Sequence, residues 1–291
     1  MSYNTKSWHW VIMMLLTLIW GSSFILMKRG LDAFSSSQVA ALRILISSIV
    51  LAPLVFKYGK QAPLKHWKKY LLAGILGNFI PAFLFTKAET GISSSLAGIL
   101  NSLTSLFTLI TGVILFKNKT KLINVIGIII GFTGAAGLLT AGKSTDFNAN
   151  IYYAFYVIIA TIGYALSVNI YKAYLNEVNS IAATSRVFIM LGPPAGIYLF
   201  TTDFTERLTT NPLALQSLGY IAILAIFGSA VSTIIYYWLI QKTTALFASS
   251  VSYLMPIVAI LWGVFDGEQM KPVHFAWILL ILIGVYLVNK K

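Results

Sequence analysis

Ten apolar stretches of roughly 18–23 residues follow one another through a chain of 291 residues. At 1.5 Å of rise per residue, each is long enough to cross a hydrocarbon layer about 30 Å thick as a helix. They occupy 8–28, 36–56, 68–87, 93–116, 121–141, 150–171, 179–201, 216–239, 245–265 and 272–289. Membrane-crossing strands are about ten residues long and alternate in polarity. These runs are longer and do not alternate, so the expected fold is an all-α membrane protein. The connections are short, the longest being 57–67 and 202–215, so neighbouring helices should pack as antiparallel hairpins. The first run follows a single lysine, Lys6, in the manner of a secretory signal. Its length and the lack of a small-x-small cleavage site favour a retained span.

Composition excludes a water-soluble alternative. Only 10% of residues are charged and 58% are hydrophobic, whereas a soluble domain carries about 25% charge to keep its surface wet. The net charge of +13 raises nucleic acid as a partner. However, the basic residues sit in the breaks between apolar runs, where they set topology and meet anionic lipid. The expected partners are therefore the bilayer and a small-molecule substrate, with no nucleic acid. The absence of cysteine removes disulfides, thiolate metal sites and cysteine nucleophiles. His9, His66 and His274 are scattered without ligand spacing, so no metal or other cofactor is expected. With the N-terminus in the cytoplasm, thirteen lysines fall in inner segments, and Lys28, Arg29, Lys87, Lys143, Arg207 and Lys271 in outer ones. Of the acidic residues, Asp32, Glu89, Asp146, Asp203, Glu206, Asp266 and Glu268 fall outside and Glu177 inside. The expected location is an inner cell membrane, with both termini cytoplasmic.

Residues recur between the two halves of the chain at a slowly drifting shift. Ser23 and Lys28 match Ser167 and Lys172, and Arg43 matches Arg186. Gly77 matches Gly228, Ala97 matches Ala248, Gly112 matches Gly263, and Gly134 matches Gly284. The expected organisation is two five-helix repeats, 1–145 and 146–291. Five is odd, so the second repeat must run inverted in the bilayer. Inverted repeats offer two near-equivalent packings around a midplane cavity, one open to each side. A monomer can then form the whole pathway.

Polar and small residues at helical spacing mark faces that avoid lipid. Candidate substrate-binding residues are Trp20, Asn78, Asn101, Tyr164, Ser229, Ser232, Tyr236 and Tyr253. The small ones equally suit helix packing. A carboxamide such as Asn78 or Asn101 has several bonding sites, which a wet cavity satisfies more readily than a packed interface. Arg43 and Arg186 lie about two turns inside their spans, suited to structural anchoring or to a direct role with an anionic ligand or gate. Pro81 and Pro256 each remove a backbone bond and mark hinges or static kinks. No predicted span carries an acidic residue near its middle, and Glu89 closes the third as a loop charge. That pattern favours facilitated transport or weak coupling over a dedicated carboxylate relay, and disfavours cationic substrates.

Trp20-Gly21-Ser22-Ser23-Phe24 resembles the first-span signature of EamA-type proteins in the drug/metabolite transporter superfamily. Ala41-Leu42-Arg43, the segment Gly91 to Asn101, and Ala248 to Pro256 resemble that family's elements in spans 2, 4 and 9. Ser105 stands where the family often has proline, which points to a fourth span straighter than the ninth. The resemblance implies ten helices around a central cavity lined mainly by spans 1, 3, 4, 6, 8 and 9. It also implies transport of amino acids or similar small metabolites, often outward. A membrane-embedded transferase would need an acidic or His/Asp cluster. A receptor would not need matching halves, and a channel would need a charged ring or filter loop. The sequence displays none of the clusters, rings or filter loops these rivals need.

Overall fold

The structure, a computed structural model, describes residues 5–141, 147–265 and 272–288. Among these, ten long helices follow in order: α1 (Thr5–Leu31), α2 (Ser36–Tyr58), α3 (Leu64–Ala88), α4 (Ser94–Phe116) and α5 (Leu122–Ala141). The series continues with α6 (Phe147–Tyr174), α7 (Ser180–Phe200), α8 (Ala214–Lys242), α9 (Ala245–Trp262) and α10 (Pro272–Val288). Seven of them, α1–α4, α6, α8 and α9, are long and apolar enough to cross a membrane. An eighth span arises if α7 is joined to the short helix Phe204–Thr210, from which it is bent by 68°. The apolar parts of α5 and α10, Leu122–Gly134 and Phe275–Val288, are shorter. The chain is thus a multi-pass helical membrane protein. The expected repeat boundary at 145/146 lies outside the described residues, as do Lys143, Asp146, Asp266, Glu268, Lys271, Lys290 and Lys291 from the charge count.

Helix starts are fixed by local chemistry. Ser35 caps α2 in a reciprocal box with Gln38, and Asn179 caps α7 through the amides of Ile181 and Ala182. Ser93 caps α4 and Thr244 caps α9. Each side-chain oxygen satisfies an amide left without a carbonyl at the first turn. Gln38 also donates to Thr202 Oγ1 at 3.0 Å and to Asp203 Oδ1 at 2.7 Å. That pair of bonds ties the start of α2 to the end of α7.

The helices then pair along their lengths: α2 with α7, α5 with α10, α1 with α9, and α4 and α3 with α6. Small residues permit the closest approach. On α5, Gly127 and Gly131 are four residues apart and face Gly284 of α10. A Cβ added to Gly284 would lie 2.6 Å from Gly131 Cα, so the two backbones are in contact there. Large apolar side chains face outward instead, among them Phe56 at 90% exposure and Phe265 at 83%. Such exposure is costly in water and favourable in lipid, which is what the composition requires.

Two helices widen in mid-course. α3 is a π-helix over Ile75–Phe79, and α8 is one over Leu224–Val231. In α3 the cause is near at hand: Pro81 has no N–H to offer the carbonyl of Gly77, so the ladder shifts register. No proline lies in α8, so the sequence gives no comparable signal there. α4 is interrupted at Ser102 although it lacks the proline found in α9. Ser102 Oγ takes the carbonyl of Ile99 at 2.6 Å, so α4 is interrupted without proline.

Candidate functional site

The π-turns of α3 and α8 and the interruption of α4 surround one chamber. Its walls include Trp20, Arg43, Asn78, Asn101, Tyr164 and Tyr236, contributed by α1, α2, α3, α4, α6 and α8. α9 completes it with Ser249, Ser252 and Met255. The volume is about 100 Å³, below the roughly 300–1,000 Å³ of ordinary ligand pockets. A metabolite of ordinary size therefore fits only if the walls move.

Most of the polar wall groups are already oriented. Trp20 Nε1 donates to the carbonyl of Gly228 and to Ser232 Oγ, each at 2.9 Å. The indole also meets Tyr236 edge-on, 4.8 Å between ring centres. Arg43 donates through Nε to Ser229 Oγ. Its Nη1 lies 3.9 Å from Met27 Sδ, another wall residue, so the hydrogen-bonded partners of this wall guanidinium are a hydroxyl and a thioether, both neutral. Asn101 is buried, yet its amide meets only Met255 Sδ at 3.2 Å, and its carbonyl a long 3.4 Å contact from Thr104. A carboxamide so weakly satisfied retains capacity for a ligand or water.

Other sequence candidates fall elsewhere. Ser229 and Ser232 stand behind the wall as partners of Arg43 and Trp20. Tyr253 does not line the chamber. It belongs to a separate apolar cluster with Ile128 and Ile281, and its ring lies against Gly131 of α5. Successive helical residues point about 100° apart, so Ser252 faces the chamber while Tyr253 faces α5. Arg186 is also away from it, donating to the carbonyl of Gly59 at 3.0 Å at the end of α2. The two arginines occupy matching sequence positions but have different jobs. Pro81 and Pro256 lie in α3 and α9 just beyond wall residues Asn78 and Met255.

Sequence reasoning passed over three groups. Tyr237 lines the chamber and stacks on Tyr171 with ring centres 3.8 Å apart. Asn169 lies beneath the chamber and joins α4 to α6, donating to the Thr108 carbonyl at 2.9 Å and to Thr111 Oγ1 at 3.0 Å. Below it opens a vestibule of about 870 Å³, at the N-terminal end of the bundle. His9, Lys119, Lys172 and Lys242 line it. The third is Glu89, read from its position as a loop charge. It follows α3 directly and is only 8% exposed, because the end of α3 is drawn inside the bundle with Thr86 and Ala88 fully buried. Neither carboxylate oxygen has a hydrogen-bond partner.

A helical membrane bundle with a small polar chamber above a wide basic vestibule is the class defined by this geometry. The chain belongs to the EamA-like transporter family, whose model matches residues 8–140 and again 151–290. An uncharacterised transporter of Archaeoglobus fulgidus is 28% identical over 97% of this chain and 99% of its own length. The uncharacterised inner membrane transporter YedA of Escherichia coli is 28% identical over 94% of this chain and 88% of its own. The protein PagO of Salmonella typhimurium is 23% identical over 95% and 91%. One crystal structure, 15% identical in sequence, shares the fold with a TM-score of 0.73 over 97% of this chain and 96% of that one. Membership of a transporter family decides against the transferase alternative.

Proposed function

We propose that this transporter moves small neutral or zwitterionic metabolites bearing a carboxylate, amino acids among them, by alternating access through the central chamber. The observation that carries this is Arg43. A guanidinium held in a low-dielectric chamber beside a neutral serine is costly unless an anion joins it, and a substrate carboxylate supplies one with bidentate geometry. Asn78 and Asn101 then serve the rest of the polar substrate, and Trp20, Tyr164 and Tyr236 its apolar part.

Two inverted five-helix halves are the frame for this reading. Supporting it, the family model matches once on each side of residues 141–150. The helix caps also repeat at the shifts seen in the sequence: Ser35 with Asn179, and Ser93 with Thr244. Near-equivalent halves give near-equivalent packings, and a chamber too small for its substrate is what an intermediate between two open states requires. The basic vestibule lies on the side assigned to the cytoplasm by the lysine distribution. Loading from that side makes export through an inner membrane the natural direction, and a single chain suffices. Counterflow of radiolabelled neutral amino acids into vesicles containing the purified protein tests the proposal. Saturable uptake that Arg43→Gln abolishes is expected; no uptake of any amino acid would overturn it.

A further inference from the structure

The same chamber has a neighbour that the proposed transport reading does not use. Glu89 lies one turn beyond Phe85, a wall residue, and its amide bonds to the Phe85 carbonyl at 3.0 Å. The carboxyl group is more than nine-tenths buried and both oxygens are without a hydrogen-bond donor. An ionised carboxylate in that state forfeits its hydration with no hydrogen bond to replace it. The charged groups that face it from the packed helices are Lys28 of α1 and Arg43 of α2, while Tyr164 of α6 faces Arg43. Lys87 lies two residues away on its own helix. Burial pushes the Glu89 carboxyl well above the ordinary carboxylate range, against the pull of Lys28 and Arg43. A group balanced in this way can take or lose a proton for a modest change in its surroundings. Nearby cations repel a metal ion, but a proton turns the acid neutral and removes the hydration problem.

We infer that Glu89 is a proton-binding site one helical turn beyond the chamber wall and that the transporter moves its substrate in exchange for, or together with, the proton held there. The inference rests on the transport reading for its second half only. Arg43 links the two parts: it contacts the chamber and acts electrostatically on Glu89, so a charged substrate group at Arg43 alters the proton affinity of Glu89.

Two measurements on the purified full-length protein test proton binding without any substrate. In an infrared difference titration, the carbonyl band of a protonated carboxylic acid should persist to neutral pH, vanish in alkali, and be absent from Glu89→Gln. In the unaltered protein, dicyclohexylcarbodiimide, an apolar reagent for protonated carboxyls, should label Glu89 in neutral buffer and several-fold less in alkali. Identical titrations of the two proteins, or labelling that does not change with pH, would overturn the inference. In vesicles carrying an internal pH dye, a mixture of neutral amino acids should drive proton movement that Glu89→Gln reduces at least ten-fold. Counterflow exchange in that variant should stay within about three-fold of the parent. Proton movement equal in both proteins would also overturn it. Absence of any amino acid flux would remove the transport reading while leaving the titration to decide on Glu89.

Discussion

Trp20 of α1 and Ser232 of α8 stand 212 residues apart in sequence, yet the indole Nε1–H reaches the serine Oγ at 2.9 Å while also serving the carbonyl of Gly228. The first and eighth helices are thus joined at the chamber wall by one shared donor. Because the donor is shared, its two acceptors differ in what their loss costs. Ser232→Ala leaves the indole bonded to Gly228 and should lower stability by about 0.6 kcal/mol, the usual worth of an interhelical bond in a membrane. Trp20→Phe removes both bonds and should cost roughly 1–3 kcal/mol. Thermal unfolding of the detergent-solubilised protein distinguishes the two.

Arg43 should be irreplaceable by lysine. Its Nε is held by Ser229, which fixes the guanidinium plane at the chamber wall. An ammonium has no such fork and is more strongly hydrated. Arg43→Lys should therefore weaken amino acid binding ten-fold or more, and Ser229→Ala by a few-fold through lost orientation. Thermal-shift titrations with an amino acid and its carboxamide analogue give the comparison. The preference for the free carboxylate should disappear with Arg43.

Arg186 should behave in the opposite way. It donates to the carbonyl of Gly59 just past the end of α2, which also accepts from the Ala62 amide. Arg186→Ala removes this tie while Gly59 keeps the Ala62 amide, and should cost about 1 kcal/mol of stability, with the apparent KM for substrate unchanged. Melting temperature and KM measured on the same preparation separate a structural arginine from a binding one.

Gly284 should tolerate no side chain. An added Cβ meets Gly131 backbone atoms at 2.5 and 2.6 Å, and backbone cannot yield as a flexible side chain can. Gly284→Val should force α5 and α10 apart and destabilise by more than about 2 kcal/mol. Gly219, with nothing within 4 Å of an added Cβ, is the control. Gly219→Ala should be neutral or slightly stabilising in a helix.

Outside the spans, Asp203 sets an acid limit. Its side-chain bond with Arg207, joined by one from Gln38, holds its carboxyl below the ordinary value of 3.8. A carboxylate whose value is lowered by folding stabilises fully above its unfolded value and loses that contribution as pH falls through the folded one. Melting temperature should therefore decline as pH drops below about 3.8, and Asp203→Asn should flatten that part of the curve. The group is exposed and screened, so the change should be small.

The apolar runs were legible because a helix in lipid is a local object: length and composition fix it without reference to anything else. The caps at Ser35 and Ser93 are local too, each serine serving the first turn of its own helix, but they came from the structure. Also legible was the pull of Trp20, Asn78, Asn101, Tyr164 and Tyr236 toward a non-lipid face, which helical spacing reveals. What spacing cannot reveal is which of two inward directions a residue takes. Ser252 and Tyr253 are both shielded from lipid, and only the placement of α5 sends one into the chamber and the other into an apolar cluster. The difference between Arg43 and Arg186 has the same origin, since each finds its partner on another helix. Glu89 shows the limit most clearly. In sequence it is a charge at the end of a span, and its burial exists only because α1, α2 and α6 close around the end of α3. Local chemistry determined the elements and their solvent; the contacts between distant helices alone decided which polar groups share one chamber.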